Sequence, residues 1–188
     1  MNQKILMFDV ESTSIYSSSG SVIAIGIFDP QTMKEPFVKV IEDLNQEREL
    51  LEWFKEKIRE YDIICGWNSK SFDLPFILGR ALQLNLDLSE LKEKAHLDLI
   101  EISKENFRFR SNRLEDVCKL LKIPYQREIS GEEIAINFMK GLKGNKEAIE
   151  KIRKRCSNDV IALAKVFEKF KPYLNFQNNY LARKTTNK

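Results

Sequence analysis

Ile5-Leu6-Met7-Phe8-Asp9-Val10-Glu11 is the stretch that decides the fold. Its apolar part has the length of a buried strand, and it ends in two acids one residue apart. Side chains alternate along a strand, so Asp9 and Glu11 would aim at one face about 7 Å apart and repel each other. Two such carboxylates at the tip of a buried strand are costly unless a cation neutralises them, and a divalent metal ion does so most completely. A metal site at the end of the first strand is the first expectation.

Working outward, residues 4–10 read as a buried strand and 21–28 (SVIAIGIF) as a second, with Ser17-Ser18-Ser19-Gly20 as the turn between them. A third strand, 37–41, follows the turn at Pro30. Strands joined by such short turns predict an antiparallel meander. A dinucleotide-binding unit is disfavoured, since it needs a Gly-rich turn after the first strand and none is present. Over 43–61, Leu44, Leu50, Leu51, Phe54 and Ile58 follow helical spacing, and 62–66 then reads as an interior strand. Strand, helix, strand implies a crossover onto a parallel neighbour. Residues 72–84 and 114–121 read as helices, the latter stopped before Pro124. Residues 97–102 fit a short strand or a turn, and 126–143 carry no assignable pattern. The longest helix, 146–170, has Ile149, Ile152, Cys156, Val160, Leu163, Phe167 and Phe170 on one stripe and ends at Pro172.

A chain of 188 residues suits one packed α/β domain, here 1–174, followed by a basic, flexible tail at 175–188. From Lys169 onward Lys171, Arg183, Lys184 and Lys188 meet no acid, although the net charge of the whole is only +3. Three cysteines, Cys65, Cys118 and Cys156, lie far apart without a CxxC pair, which argues for reduced, buried thiols rather than a disulfide framework. No apolar run approaches the roughly 18 residues of a membrane span. The expectation is a soluble, cytoplasmic protein.

Two further acids sit in apolar contexts: Asp73, in Asn68-Ser69-Lys70-Ser71-Phe72-Asp73-Leu74-Pro75, and Asp159, at the edge of the last helix's stripe. Each alone has a simple structural account. Asp before Leu-Pro is a common helix N-cap, and Asp159 has Arg155 one turn earlier for an i,i+4 ion pair. In chain order, however, Asp9-x-Glu11, Asp73 and Asp159 resemble the four acids of the DEDD (DnaQ-like) 3′→5′ exonuclease superfamily. Asp9-Val10-Glu11-Ser12-Thr13 is similar to its first motif, Asn68-x-x-x-Phe72-Asp73-x-Pro75 to its second and Arg155-Cys156-Ser157-Asn158-Asp159 to its third. The second motif most resembles the proofreading domains of family B DNA polymerases and their stand-alone relatives. His96-Leu97-Asp98-Leu99 and Leu114-Glu115-Asp116-Val117 resemble the segment between the second and third motifs, so the similarity runs from residue 4 to about 171.

The resemblance implies a ribonuclease H-like α/β fold: a mixed sheet of three antiparallel strands and then parallel ones, with helices on both faces. It also implies two Mg²⁺ or Mn²⁺ ions, which in such sites lie about 4 Å apart. Asp9 would bridge them, Glu11 and Asp159 would complete the site that activates water, and Asp73 would hold the second ion. Hard cations of this kind prefer carboxylate oxygens, which suits a chain with one histidine and no paired cysteines. Ser12, Thr13, Asn68 and Phe72 would meet the terminal nucleotide, with core packing the competing account for Phe72.

One departure stands out. The third motif usually carries a Tyr four residues before its Asp or a His five before, and here those positions hold Arg155 and Lys154. Arginine stays protonated and cannot serve as a base. Either the ions suffice, with Arg155 contacting a phosphate, or another residue substitutes, such as Tyr125, Tyr173 or His96, or catalysis is lost. A packed structural role competes for His96. The function implied is a free-standing 3′→5′ exonuclease on single-stranded DNA that releases 5′-mononucleotides. RNA 3′ processing is the alternative within the same class, and a catalytically silent nucleic-acid-binding subunit is the alternative outside it. A replication or repair protein as partner, and the oligomeric state, stay open.

Overall fold

The computed structural model describes residues 3–174. The basic tail expected at 175–188 lies outside the described residues.

Five strands, β1 (Ile5–Ser12), β2 (Val22–Phe28), β3 (Phe37–Val40), β4 (Ile63–Gly66) and β5 (Ala95–Asp98), form one sheet in the order β3-β2-β1-β4-β5. The β1–β2 and β2–β3 pairs are antiparallel, while β1–β4 and β4–β5 are parallel. This is the meander and crossover that the sequence predicts, and the α/β sheet is ribonuclease H-like. β1 lies at the centre because Leu6, Met7, Phe8 and Val10 are apolar on both faces of the strand and all buried. It runs two residues beyond its expected end, since Glu11 and Ser12 keep pairing with β2 across an irregularity in register.

Helices α1 (Glu47–Arg59) and α2 (Asp73–Gln83) help cover the face that carries Leu6, Phe8, Val10 and Ile64. On the other face, Met7 and Cys65 pack with α3 (Leu99–Asn106), α4 (Leu114–Leu120) and the later turns of α6 (Lys146–Phe170). Arg80 and Glu47 tie the first layer together: two guanidinium contacts of 2.8 and 2.7 Å, while Glu47 also accepts the Val22 N–H at 2.7 Å. Among the described residues no helix is long and apolar enough to cross a membrane.

Two segments left ambiguous by sequence resolve for local reasons. Residues 97–102 are both a strand end and a helix start, because the Asp98 carboxylate caps α3 by accepting the Ile100 N–H. Within 126–143 lies α5 (Gly131–Leu142), which begins where Glu133 reaches back to the Ser130 N–H. It buries Ile134 and Phe138 but leaves Ile136, Met139 and Leu142 exposed, so its apolar residues form no single stripe.

Helix α6 comes unusually close to the sheet at Gly26, which pairs with Asp9 and so shares its face. A Cβ there would meet the Cys156 Sγ at 2.8 Å and the Cys156 carbonyl oxygen at 3.3 Å. Gly26→Ala is therefore expected to lower the free energy of unfolding by about 1–3 kcal/mol, as overpacking usually does. A urea melt in chelator reads this, and an unchanged midpoint would mean that α6 does not seat on β2 in this way.

Candidate active site

The site begins where β1 parts from its parallel neighbour. Pairing with β4 ends at Met7 and Cys65, so the residues after Met7 have no strand on that side. Into this gap α2 brings its first residue, Asp73, whose carboxylate is drawn to the Val10 N–H. Asp9 and Glu11 stand on the face that meets α6, and Asp159 is presented from that helix one turn after Cys156 contacts the Asp9 carbonyl at 3.7 Å. Glu11, Asp73 and Asp159 are buried. Asp9 is partly exposed, yet its Oδ2 is buried with no hydrogen-bond partner among the described residues. The four acids thus come together from one strand and two helices, elements stiff enough to hold them against their own repulsion.

Burial shifts all of them in one direction, and repulsion from neighbouring acids adds to it at Asp9, Glu11 and Asp73. Desolvation, followed by Asp159, Glu11 and Asp73, pushes the Asp9 carboxyl well above its usual range. Burial takes Glu11 up to about 8, with Arg155 opposing it, and takes Asp73 up to about 7. Asp159 is also raised by burial, though Tyr125, Arg155 and Arg127 pull the other way.

Arg155, a candidate phosphate contact by sequence, is engaged with groups of the chain itself. Its Nε donates to Glu11 Oε1 at 2.7 Å, its Nη1 to the Ile129 carbonyl at 2.5 Å, and its Nη2 lies 3.9 Å from Asp159 Oδ2. Both partners of the Glu11 pair are largely shielded, so water screens their attraction little. Of the three residues named as substitutes for the motif tyrosine, Tyr125 is the one that hydrogen-bonds Asp159. The Tyr125 hydroxyl donates to Asp159 Oδ1 at 2.5 Å, and Asn158 fixes that segment by donating to the Gln126 carbonyl at 2.9 Å.

The other expected residues divide. Ser12 Oγ donates to the Ser14 carbonyl at 2.7 Å, and Thr13 Oγ1 accepts the Ser21 N–H at 2.9 Å, so both close the β1–β2 hairpin beside the acids. Asn68 adopts φ +61°, a left-handed conformation that Asn tolerates, and its carbonyl accepts the Phe72 N–H at 3.0 Å. This turn aims Asp73. Asp98, whose importance sequence reasoning missed, pins the turn by accepting the Asn68 and Lys70 N–H groups at 2.7 and 2.9 Å. The signal was an acid closing an apolar strand. Phe72 is half-buried, with its ring centroid 5.8 Å from that of Phe76. His96 pairs with Ile64, in register with Leu6, and its ring lies 5.7 Å from Phe8, so it faces away from Asp9 and Glu11. Tyr173 packs edge-on against Phe107. Among the described residues neither is hydrogen-bonded to one of the four acids.

Do these groups suit a divalent ion? The ligand atoms of Asp9, Glu11 and Cys156 lie within 4.8 Å of one another. Burial and the nearby acids raise the Cys156 thiol, which keeps it protonated and a poor ligand. Asp9 and Glu11 do fit: two carboxylates within ligand range, one with an unpartnered buried oxygen, are what a hard cation relieves, while Asp73 and Asp159 stand outside that close group and act on Asp9 through their charge.

An α/β sheet with acids gathered at the free end of its central strand defines the class. A model of the RNase_H superfamily (RNase_H_2) matches residues 6–171, and the chain belongs to that superfamily. A DNA polymerase of Pyrococcus glycovorans is 24% identical over 200 residues, which cover 90% of this chain and 25% of that protein. One from Methanocaldococcus jannaschii is 31% identical over 112 residues, covering 46% of this chain and 7% of that protein. The solved structure of the family B DNA polymerase from the hyperthermophilic archaeon Pyrobaculum calidifontis shares the fold, with a TM-score of 0.77 at 19% identity over 92% of this chain and 25% of that one. The chain spans a quarter or less of the length of these relatives.

Raised carboxyls make the metal-free protein lose stability as pH rises from about 4 toward 8, because the folded acids hold protons that the unfolded chain releases. Asp9→Asn should therefore exceed the wild type in chelator at pH 8 by on the order of 1–3 kcal/mol, with the gap closing near pH 4. Urea midpoints across pH test this, and a variant that is less stable at every pH would refute it. His96 has the opposite sign. Burial lowers it from 6.5 to about 4, so the stability it confers is complete above pH 6.5 and is lost as pH falls to about 4. The difference between wild type and His96→Gln should change across that window by no more than about 3 kcal/mol. A pH-independent difference would show that the ring is not held neutral.

Proposed function

We propose that this chain is a divalent-metal-dependent 3′→5′ exonuclease that hydrolyses single-stranded DNA from its 3′ end and releases 5′-mononucleotides. The observation that carries the proposal is the gathering of Asp9, Glu11, Asp73 and Asp159 at the end of β1, with Asp9 Oδ2 unpartnered among the described residues. Membership of the RNase_H superfamily and similarity to DNA polymerases support it. A silent binding module gains nothing from burying acids that repel one another and the phosphates of its ligand.

In this proposal the four acids are the metal ligands, with Mg²⁺ or Mn²⁺ as the ion. When bound, such ions acidify the attacking water and stabilise charge on the leaving oxygen. The chain's own residues do the rest. Tyr125 holds Asp159 in one orientation through its hydroxyl, and Arg127 beside it adds positive charge. Ser12 and Thr13, at the end of β1, and Asn68, at the mouth of the gap, meet the terminal nucleotide. The half-buried ring of Phe72, backed by Phe76, offers a face on which the terminal base stacks.

The test is incubation with 5′-labelled single-stranded DNA and RNA of one sequence in Mg²⁺, Mn²⁺ or EDTA. The DNA should shorten from its 3′ end only with metal, and Asp9→Ala should abolish the ladder while the protein stays folded. Tyr125→Phe should lower turnover by about 10–100-fold, the range for a group that orients a ligand. Binding without cleavage in any metal would refute the proposal, and cleavage of RNA alone would reassign the substrate.

A further inference from the structure

We infer that the Arg155 guanidinium takes the place of one of the two divalent ions, so that the protein holds a single ion, on Asp9 and Asp73. The inference rests on the exonuclease proposal above and narrows its ligand set from four acids to two, because Glu11 and Asp159, which would otherwise share an ion, are already held by Arg155. Its Nε is 2.7 Å from Glu11 Oε1 and its Nη2 is 3.9 Å from Asp159 Oδ2, which puts a full positive charge between them.

The guanidinium is also held from behind. Its Nη1 donates to the Ile129 carbonyl at 2.5 Å, and the side chains of Arg155 and Glu11 are 12% and 3% exposed. An ion entering between Glu11 and Asp159 would either sit against this cation or drive it off its acid and its carbonyl. Both are unfavourable, and arginine cannot give up its proton to relieve them. Asp159 is committed on its other side as well, since Tyr125 donates to its Oδ1 at 2.5 Å.

Asp9 and Asp73 differ. Asp9 Oδ2 is buried with no partner among the described residues, and no arginine or lysine contacts Asp73 among them. Asp73, the first residue of α2, lies close enough to Asp9 for its charge to act there. A cation is needed there and is already supplied at Glu11. A guanidinium can stabilise negative charge on a phosphate oxygen but cannot acidify water, which is the chemistry that the single ion would supply when bound.

The experiment counts ions on the full chain. Mn²⁺ binding is followed by the loss of the free-ion paramagnetic signal and by calorimetry at neutral pH, with a saturating 5′-mononucleotide present so that its phosphate can complete either site. The expected result is one Mn²⁺ per wild-type chain, retained in Glu11→Gln and lost in Asp73→Asn, with two in Arg155→Met. Two ions on the wild type would overturn the inference and leave the exonuclease proposal standing. No bound ion at millimolar Mn²⁺ would overturn both. The wild-type count decides the matter whether or not Arg155→Met folds.

Discussion

Carboxylates buried within one another's field resist ionising together, and the architecture around β1 is organised by that constraint. Asp9 and Glu11 share a face because a strand alternates, Asp73 arrives at the gap left by β4, and Asp159 descends from α6. Folding alone gains nothing from this arrangement. It persists because the surrounding sheet and helices bury enough apolar surface to hold it, from Leu6 and Phe8 on one face to Met7 and Leu163 on the other.

Close approach makes the site possible. Gly26 opposite Asp9 lets Cys156 press onto the sheet, and that contact sets the depth at which the next turn delivers Asp159. A larger residue at 26 would lift the helix and the acid together. The Asn68 turn does the same for Asp73: a left-handed residue and the Asp98 carboxylate hold the loop so that α2 starts inside the gap. Each device pairs a permissive backbone position with one side chain, Cys156 at Gly26 and Asp98 at Asn68, and neither uses the acids it positions.

Around Asp159 one contact comes from a distant part of the chain and one from the preceding helical turn. With arginine at position 155, the tyrosine that meets Asp159 comes from the segment between α4 and α5, and the guanidinium turns to Glu11. The two contacts are coupled through one carboxylate, since Asp159 faces Tyr125 with one oxygen and Arg155 with the other. Positive charge that an ion would bring is thus partly built into the chain.

Much of this was legible in the sequence. The period of two along β1 put Asp9 and Glu11 on one face, the stripe from Ile152 to Phe170 set the last helix, and short turns announced the meander. Those are local properties, which neighbouring residues dictate through strand alternation and helical spacing. Helix α5 escaped because its apolar residues lie on more than one side, and a helix boundary at Asp98 depends on a cap rather than a pattern. Tertiary structure alone decided that Arg155 reaches Glu11, 144 residues away, that Tyr125 meets Asp159 across 34, and that His96 turns to the opposite face. Partnerships of buried charge follow from which groups the packed fold excludes from water together, and no local spacing records that.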